Sequence, residues 1–321
     1  MTRRSDVPPP VTAVLDASSR WLPTRLGEVE DLLREQSRGH GELLAESAGA
    51  TLAAGGKRLR PLLVLLCAGA GGGEEAVRAA AAIELVHMAT LVHDDVLDDA
   101  PLRRGQPTIA ASSGRDRALA VGDLLFSRAF ALLAEHGDTR AISLLTEASV
   151  ALARGELAQR HDAFDTGVSE QRYLDRCRLK TAKLFECACR LGCDIDALGA
   201  FGAEVGLAFQ LLDDVLDISG PPERTGKACG TDLLDGTVTL PLIAAAKIDP
   251  EIRDVDLRAL DPATAELLCD RIAATGALER VRSRALAMVA MAKGELEAAG
   301  FDQEQRQLLD LVADGVVHRY S

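Results

Sequence analysis

Aromatic residues are scarce in this 321-residue chain: one Trp, two Tyr and seven Phe, 3% of the total. Strand signals are equally thin. Few runs alternate, and no Asn-Gly or Asp-Gly hairpin joins β-branched segments, which argues against a sheet-based fold. Positive charge is in deficit, with 36 Lys+Arg against 49 Asp+Glu for a net −13. A general nucleic-acid binder would be basic, so none is expected as a partner. An anionic substrate would have to be met by local basic clusters or bound cations. No stretch is expected to reach the roughly 20 apolar residues that span a bilayer; Pro61 to Gly73 (PLLVLLCAGAGGG) is too short and too rich in Gly. The N-terminus, MTRRSDVPPP, has no apolar core and does not read as a secretory signal. Cysteine is odd in number, at 67, 177, 187, 189, 193, 229 and 269, which reads as reduced thiols in a cytoplasmic protein. Cys177, Cys187, Cys189 and Cys193 lack paired C-x-x-C spacing, so buried apolar filler is the reading preferred over zinc.

What is abundant is Ala and Leu, both strong helix formers. Apolar residues recur at three and four spacing through Ala76–Asp99, Ala118–His136, Ile142–Ala163, Tyr173–Leu191, Leu198–Ile218 and Leu278–Ala298. Gly and Pro fall mostly between these segments. The pattern predicts an all-α chain of about ten or more helices, shorter after Asp249, with no polar linker to divide it. Residues 1–15 are expected to form a flexible tail and 16–321 a single domain.

One pentapeptide occurs twice. DDVLD stands at Asp94–Asp98 and again at Asp213–Asp217, each near the end of a long apolar helix. The first and fifth residues of such a segment share a helix face one turn apart. Two carboxylates there repel each other, and the helix dipole disfavours both. A divalent cation reverses both penalties, and oxygen ligands that leave positions for water and phosphate suit Mg²⁺. A single copy could equally be a solvated helix end; a second identical copy favours metal.

Basic residues stand near these motifs. Gly55-Gly56-Lys57-Arg58-Leu59-Arg60 precedes an apolar helix, Arg103-Arg104 follows the first aspartates, Lys180-Thr181 interrupts an apolar pattern, and Gly226-Lys227-Ala-Cys-Gly230-Thr-Asp232 follows the second. Each alone could be a solvated face. Four of them beside two metal-type motifs in an acidic chain read better as a clamp for diphosphate, because Lys and Arg grip phosphate oxygens.

With these motifs the chain resembles the all-trans isoprenyl diphosphate synthases, the polyprenyl synthetase family. The likeness runs from about Gly55 to Pro241. It comprises GGKRLRP, ELVHMATLVHDDVLDDAPLRRGQPT, GELAQ at Gly155–Gln159, KTA at Lys180–Ala182, FQLLDDVLD, and GKACGTD followed by TLP. The resemblance implies a helical homodimer whose long central helices enclose a deep cavity. It implies that Asp94, Asp95, Asp98, Asp213, Asp214 and Asp217 hold about three Mg²⁺ on an allylic diphosphate. Arg103, Lys180 and Lys227 match cations on that leaving group. Thr181 and Gln210 match groups beside the reacting carbons. Lys57, Arg60, His87 and Arg104 match the isopentenyl diphosphate site. A lone helix His is often a core residue, but His87 lies two turns before Asp94 on the same face. His93 reads as packing or support.

The implied reaction joins isopentenyl diphosphate to an allylic diphosphate (dimethylallyl, geranyl, farnesyl or geranylgeranyl). Charge developing on the departing diphosphate is neutralised, and an apolar cavity shields the allylic cation. Thr90, Ala89 and Val86 line the way below the first aspartates. Short-chain relatives often carry aromatic blocks there, so these small residues imply a product of thirty carbons or more, with geranylgeranyl diphosphate as the alternative. Thr237 departs from the pattern, since many relatives have Lys there; Arg319 resembles a basic tail that closes over the site. A class I terpene cyclase would carry an Asn-Ser-Glu type second motif and more aromatics. A non-catalytic synthase subunit would have lost aspartates or cations.

Overall fold

The computed structural model describes residues 14, 18, 21–38, 41–53, 55–103, 105–220 and 229–318. Arg104, Lys227, Arg319 and, apart from Val14, the expected tail lie outside them. In chain order the helices are α1 (Leu22–Gln36), α2 (Glu42–Ala53), α3 (Leu59–Ala68), α4 (Gly73–Leu97), α5 (Ile109–Ser113), α6 (Arg115–Ala134), α7 (Thr139–His161) and α8 (Glu170–Cys177). A π-helical turn, Arg178–Ala182, leads into α9 (Lys183–Gly192). There follow α10 (Asp196–Ser219), α11 (Thr231–Leu234), α12 (Leu240–Ala246), α13 (Pro250–Arg253), a 3₁₀ turn (Leu257–Ala259), α14 (Pro262–Ala274), α15 (Ala277–Ala298) and α16 (Gln303–His318). The chain is all-α, as its composition predicts. The exception among the described residues is a two-residue antiparallel ribbon, Leu102–Arg103 against Gln106–Pro107.

Contacts group the chain into two compact units. One comprises Met1–Ser149, Cys187–Gly199 and Phe301–Val312; the other comprises Val150–Glu186, Ala200–Gly300 and Ala313–Ser321. The boundaries fall inside α7, α9, α10 and α16.

In the first unit α4 is the central element. Ala79 to Val86 are buried without a break, and Ala89, Val92 and Val96 continue the buried surface. A helix apolar all round has to be enclosed, and α6, α3 and α1 enclose it. Its alanines keep the neighbouring helix axes close. By length and composition α4 could cross a bilayer, contrary to the expectation from uninterrupted apolar runs, but 72% of its most apolar window is buried within the fold. That burial is typical of a core helix.

The second unit holds the later half of α7, α8, the π turn, the start of α9, most of α10, α11 to α15 and the end of α16. Side-chain caps start several of its helices: Ser169 accepts from Arg172 N, and Asp261 forms a capping box with Thr264. The span Tyr173–Leu191, which the periodicity predicts as one helix, is interrupted by the π turn at Lys180-Thr181. Such single-turn insertions are frequent at functional sites. The described cysteines are all free thiols, five of them buried. No three His, Cys, Asp or Glu converge as a metal cage among the described residues.

Candidate active site

The expected site residues fall in two regions, one in each unit. In the first, α4 ends at Leu97, and Asp98 caps it with its N–H on the Asp94 carbonyl at 2.8 Å. Asp99 takes a left-handed conformation, φ 45°, and turns the chain into the ribbon that carries Arg103. Asp94 is half-buried and Asp98 exposed. Asp95 points inward, 6% exposed, and its Oδ1 accepts from Arg103 Nε at 2.7 Å. Arg115 donates to the Val96 carbonyl at 3.0 Å and lies 3.6 Å from Asp99. A cation there offsets the negative end of the helix.

Before α3, Arg58 adopts φ 49°, a left-handed conformation uncommon for a residue with a side chain. Its guanidinium is held on two sides, by Glu30 at 2.6 Å and by Glu84 of α4 at 2.8 Å. Burial disfavours its charge, yet Glu84 and Glu30 outweigh that and raise its pKa. Lys57 and Arg60 flank this anchored residue. Burial depresses Arg60 to about 10, with Glu84 opposing the shift. The sequence pattern counts Arg58 among the cations of a phosphate clamp, but its guanidinium is occupied by two acids, and Glu84 carries no role in that pattern. The available signal was that Glu84 is the only acid between Glu75 and Asp94, in an otherwise apolar run.

Along α4, His87 and Thr90 are half-buried, whereas Val86 and Ala89 are fully buried. The Thr90 hydroxyl donates to the His87 carbonyl at 2.8 Å. His93 packs against α6: its Nε2 is 3.3 Å from the Leu119 carbonyl and its ring 5.8 Å from that of Phe126. A Cβ on Gly122 would strike that imidazole at 2.1 Å.

In the second unit, α10 runs two residues beyond Asp217. Asp213 is exposed and Asp217 half-buried. Asp217 Oδ2 accepts from Asp232 N at 3.1 Å, and its carbonyl accepts from Gly230 N at 2.9 Å, which ties Gly230 and Asp232 to the helix end. Asp214 points inward, 3% exposed. Its Oδ1 accepts from Gln210 Nε2 at 2.8 Å, and its Oδ2 accepts from the Tyr173 hydroxyl. Burial, then the nearby Asp232, pushes its pKa up to about 8 against the pull of Tyr173 and Gln210. The Thr181 hydroxyl donates to Gln210 Oε1 at 2.7 Å. The π turn can approach both neighbours because glycines face it. A Cβ on Gly155 of α7 would lie 2.5 Å from Lys180 N, and one on Gly206 of α10 would lie 2.9 Å from the Ala182 Cα.

Lys180 pairs with Glu156 at 2.5 Å. Burial raises the Glu156 pKa, but Lys180 and then Arg160 hold it below the usual carboxylate value. Thr237, the expected departure from the family pattern, is half-buried and its N–H donates to the Asp232 carbonyl at 2.8 Å. Tyr173 was also missed by sequence reasoning. It is one of only two tyrosines, two helical turns before Lys180.

The six aspartates were expected to act as one set, but the geometry divides them. Asp94, Asp98, Asp213 and Asp217 retain solvent exposure, whereas Asp95 and Asp214 turn inward to side-chain donors. Outward carboxylates one turn apart, with no complete protein cage, suit a divalent ion that takes its remaining ligands from water and phosphate.

This all-helical fold, with aspartates at two helix ends and a lysine on a π turn, is that of the isoprenoid synthase class. A sequence model of the polyprenyl synthetase family matches residues 41–267. The chain is 42% identical over 241 residues to heptaprenyl diphosphate synthase component 2 of Geobacillus stearothermophilus, covering 72% of this chain and 75% of that one. It is 33% identical over 322 residues to a short chain isoprenyl diphosphate synthase of Methanothermobacter thermautotrophicus, covering 91% and 99%. A polyprenyl synthase from Caulobacter crescentus CB15, solved with calcium and isoprenyl diphosphate, superimposes with a TM-score of 0.89 at 34% identity, covering 96% of this chain and 98% of that one. The chain belongs to the polyprenyl synthetase family. It is a prenyltransferase that condenses isopentenyl diphosphate with an allylic diphosphate, and the family uses divalent metal.

Proposed function

We propose that the chain makes an all-trans polyprenyl diphosphate of thirty carbons or more, with about three Mg²⁺ on the allylic diphosphate. The outward pairs Asp94/Asp98 and Asp213/Asp217 are the metal ligands on this reading; Asp95 and Asp214 brace them. When bound, the ions neutralise charge on the departing diphosphate. Arg103, Lys180 and Lys227 bind the same group. Lys180, parked on Glu156, needs only to exchange one anionic partner for another. The hydroxyl of Thr181 and the carbonyl of Gln210 present oxygen dipoles to the allylic cation. Lys57, Arg60, His87 and Arg104 hold isopentenyl diphosphate, whose double bond attacks; the released diphosphate accepts the proton.

The observation that carries the product length is the α4 face below Asp94, where Val86, Ala89 and Thr90 place no aromatic ring. The heptaprenyl name of one relative agrees with this, and the short-chain name of another keeps geranylgeranyl diphosphate as the alternative. The protein is read further as a cytoplasmic homodimer with one domain over residues 16–321. The test is to supply farnesyl diphosphate, isopentenyl diphosphate and Mg²⁺, then size the dephosphorylated products by chromatography. Products of thirty carbons or longer are expected, and a stop at fifteen or twenty would overturn the assignment. Ala89→Phe should shorten the product, and an unchanged length would remove Ala89 from the chain's path.

A further inference from the structure

We infer that Tyr173 is a positioning residue for the condensation, acting through Asp214 on the amide of Gln210; this rests on the role proposed above for Gln210. The observation is a buried relay of three side-chain bonds. Tyr173, 1% exposed, donates its hydroxyl to Asp214 Oδ2. Asp214 Oδ1 takes Gln210 Nε2 at 2.8 Å, and Gln210 Oε1 takes the Thr181 hydroxyl at 2.7 Å.

A side-chain amide has one acceptor end and one donor end. With the donor end committed to a carboxylate oxygen, the acceptor end is directed to Thr181. With Asp214 ionised, flipping the amide would set oxygen against oxygen. The carboxylate can enforce that choice only if it cannot rotate, and the Tyr173 hydroxyl holds its other oxygen. The Tyr173 ring is itself fixed. The Arg176 guanidinium lies 5.2 Å from its centroid, tied to the Val238 carbonyl and to Asp162. A dipole aimed before the reaction needs no reorganisation during it, so loss of the phenolic hydroxyl should affect the chemical step rather than substrate binding.

The test is a double-mutant cycle on the full chain with Mg²⁺, read by single-turnover condensation of farnesyl diphosphate with isopentenyl diphosphate. Tyr173→Phe should slow turnover about tenfold while both KM values stay within about twofold, which marks an interaction used in the transition state. In a Gln210→Leu background the same change should cost less than about twofold, because the route through Gln210 is already cut. Penalties that multiply would overturn the inference, as would an unchanged rate in Tyr173→Phe alone. If Gln210→Leu runs at full speed, the role of Gln210 falls and the inference with it. If Gln210→Leu is slow and Tyr173→Phe is not, only the inference falls. Should Tyr173→Phe fail to melt as a folded protein, Asp214→Asn takes its place in the cycle with the same criteria.

Discussion

The two DDVLD segments are identical over five residues but differ in their surroundings. Around Asp94–Asp98 the helix stops at Leu97, and the fifth aspartate is carried by a cap and a left-handed turn. Around Asp213–Asp217 the helix continues to Ser219, so both outward carboxylates stand on helical backbone. The inward aspartates differ more. Asp95 meets a guanidinium, whereas Asp214 meets a phenol and an amide. A pentapeptide therefore specifies which carboxylates share a helix face, through helical spacing, but not which one is buried or how it is satisfied. Arg103 is eight residues after Asp95, and Tyr173 is forty-one residues before Asp214. The first segment's inward acid is balanced by an arginine, whereas the second segment's meets only neutral side-chain donors.

The largest expected effect tests the division between outward and inward aspartates. Asp94→Asn and Asp213→Asn should each lower the single-turnover rate by about a thousandfold or more, as loss of a metal ligand at charge development implies. Both should also raise the Mg²⁺ concentration needed for half-maximal rate. Asp95→Asn and Asp214→Asn should leave that Mg²⁺ requirement in place. A Mg²⁺ titration in which all four variants shift alike would break the comparison.

The next effect concerns stability in the first region. Arg58→Met removes the hydrogen-bonded partner of Glu84, whose side chain is 4% exposed, leaves Arg60 as the nearby charge, and should cost about 3 kcal/mol. Arg103→Met should cost about 1 kcal/mol or less, since solvent screens a pair whose arginine is 35% exposed. Urea unfolding of the two variants checks the order, and equal losses would mean that exposure does not set the value of these pairs.

The smallest effect compares the glycines on which each region packs. Gly155→Ala drives a methyl into the Lys180 backbone and should cost about 2–3 kcal/mol. Gly122→Ala first meets the His93 ring, a side chain that can turn aside, and should cost about 1 kcal/mol. Thermal unfolding distinguishes them; a larger loss at Gly122 would show His93 to be the more rigid neighbour.

Much of this was legible in the residues. The helix spans around Asp94 and Asp213 were predicted within a few positions, because an apolar period of 3.6 survives any tertiary context that buries one face. The basic segments at Lys57, Arg103 and Lys180 stood out as clustered cations in an acidic chain, but the acids that hold Arg58, Arg103 and Lys180 did not. The π turn was not legible, because Arg178–Ala182 has the composition of an ordinary helix, and its widening accompanies Gly155 and Gly206 pressing from other helices. Tyr173 and Glu84 were missed for the same reason: a buried polar residue is recognised by its partner, and the partner is remote in sequence.

Sequence alone determined the helical class, the repeated carboxylate pairs and the small residues below the first of them, since each depends only on local spacing or side-chain size. It also paired the first and fifth aspartates of each segment on one helix face, but it treated all six as one set; the burial of Asp95 and Asp214 came only with the fold. Only the tertiary structure decided where α4 stops and which donors each inward aspartate meets. It also decided that Lys180 stands on a widened turn against Glu156. Those outcomes depend on burial and on partners tens of residues away, and no local pattern carries that information.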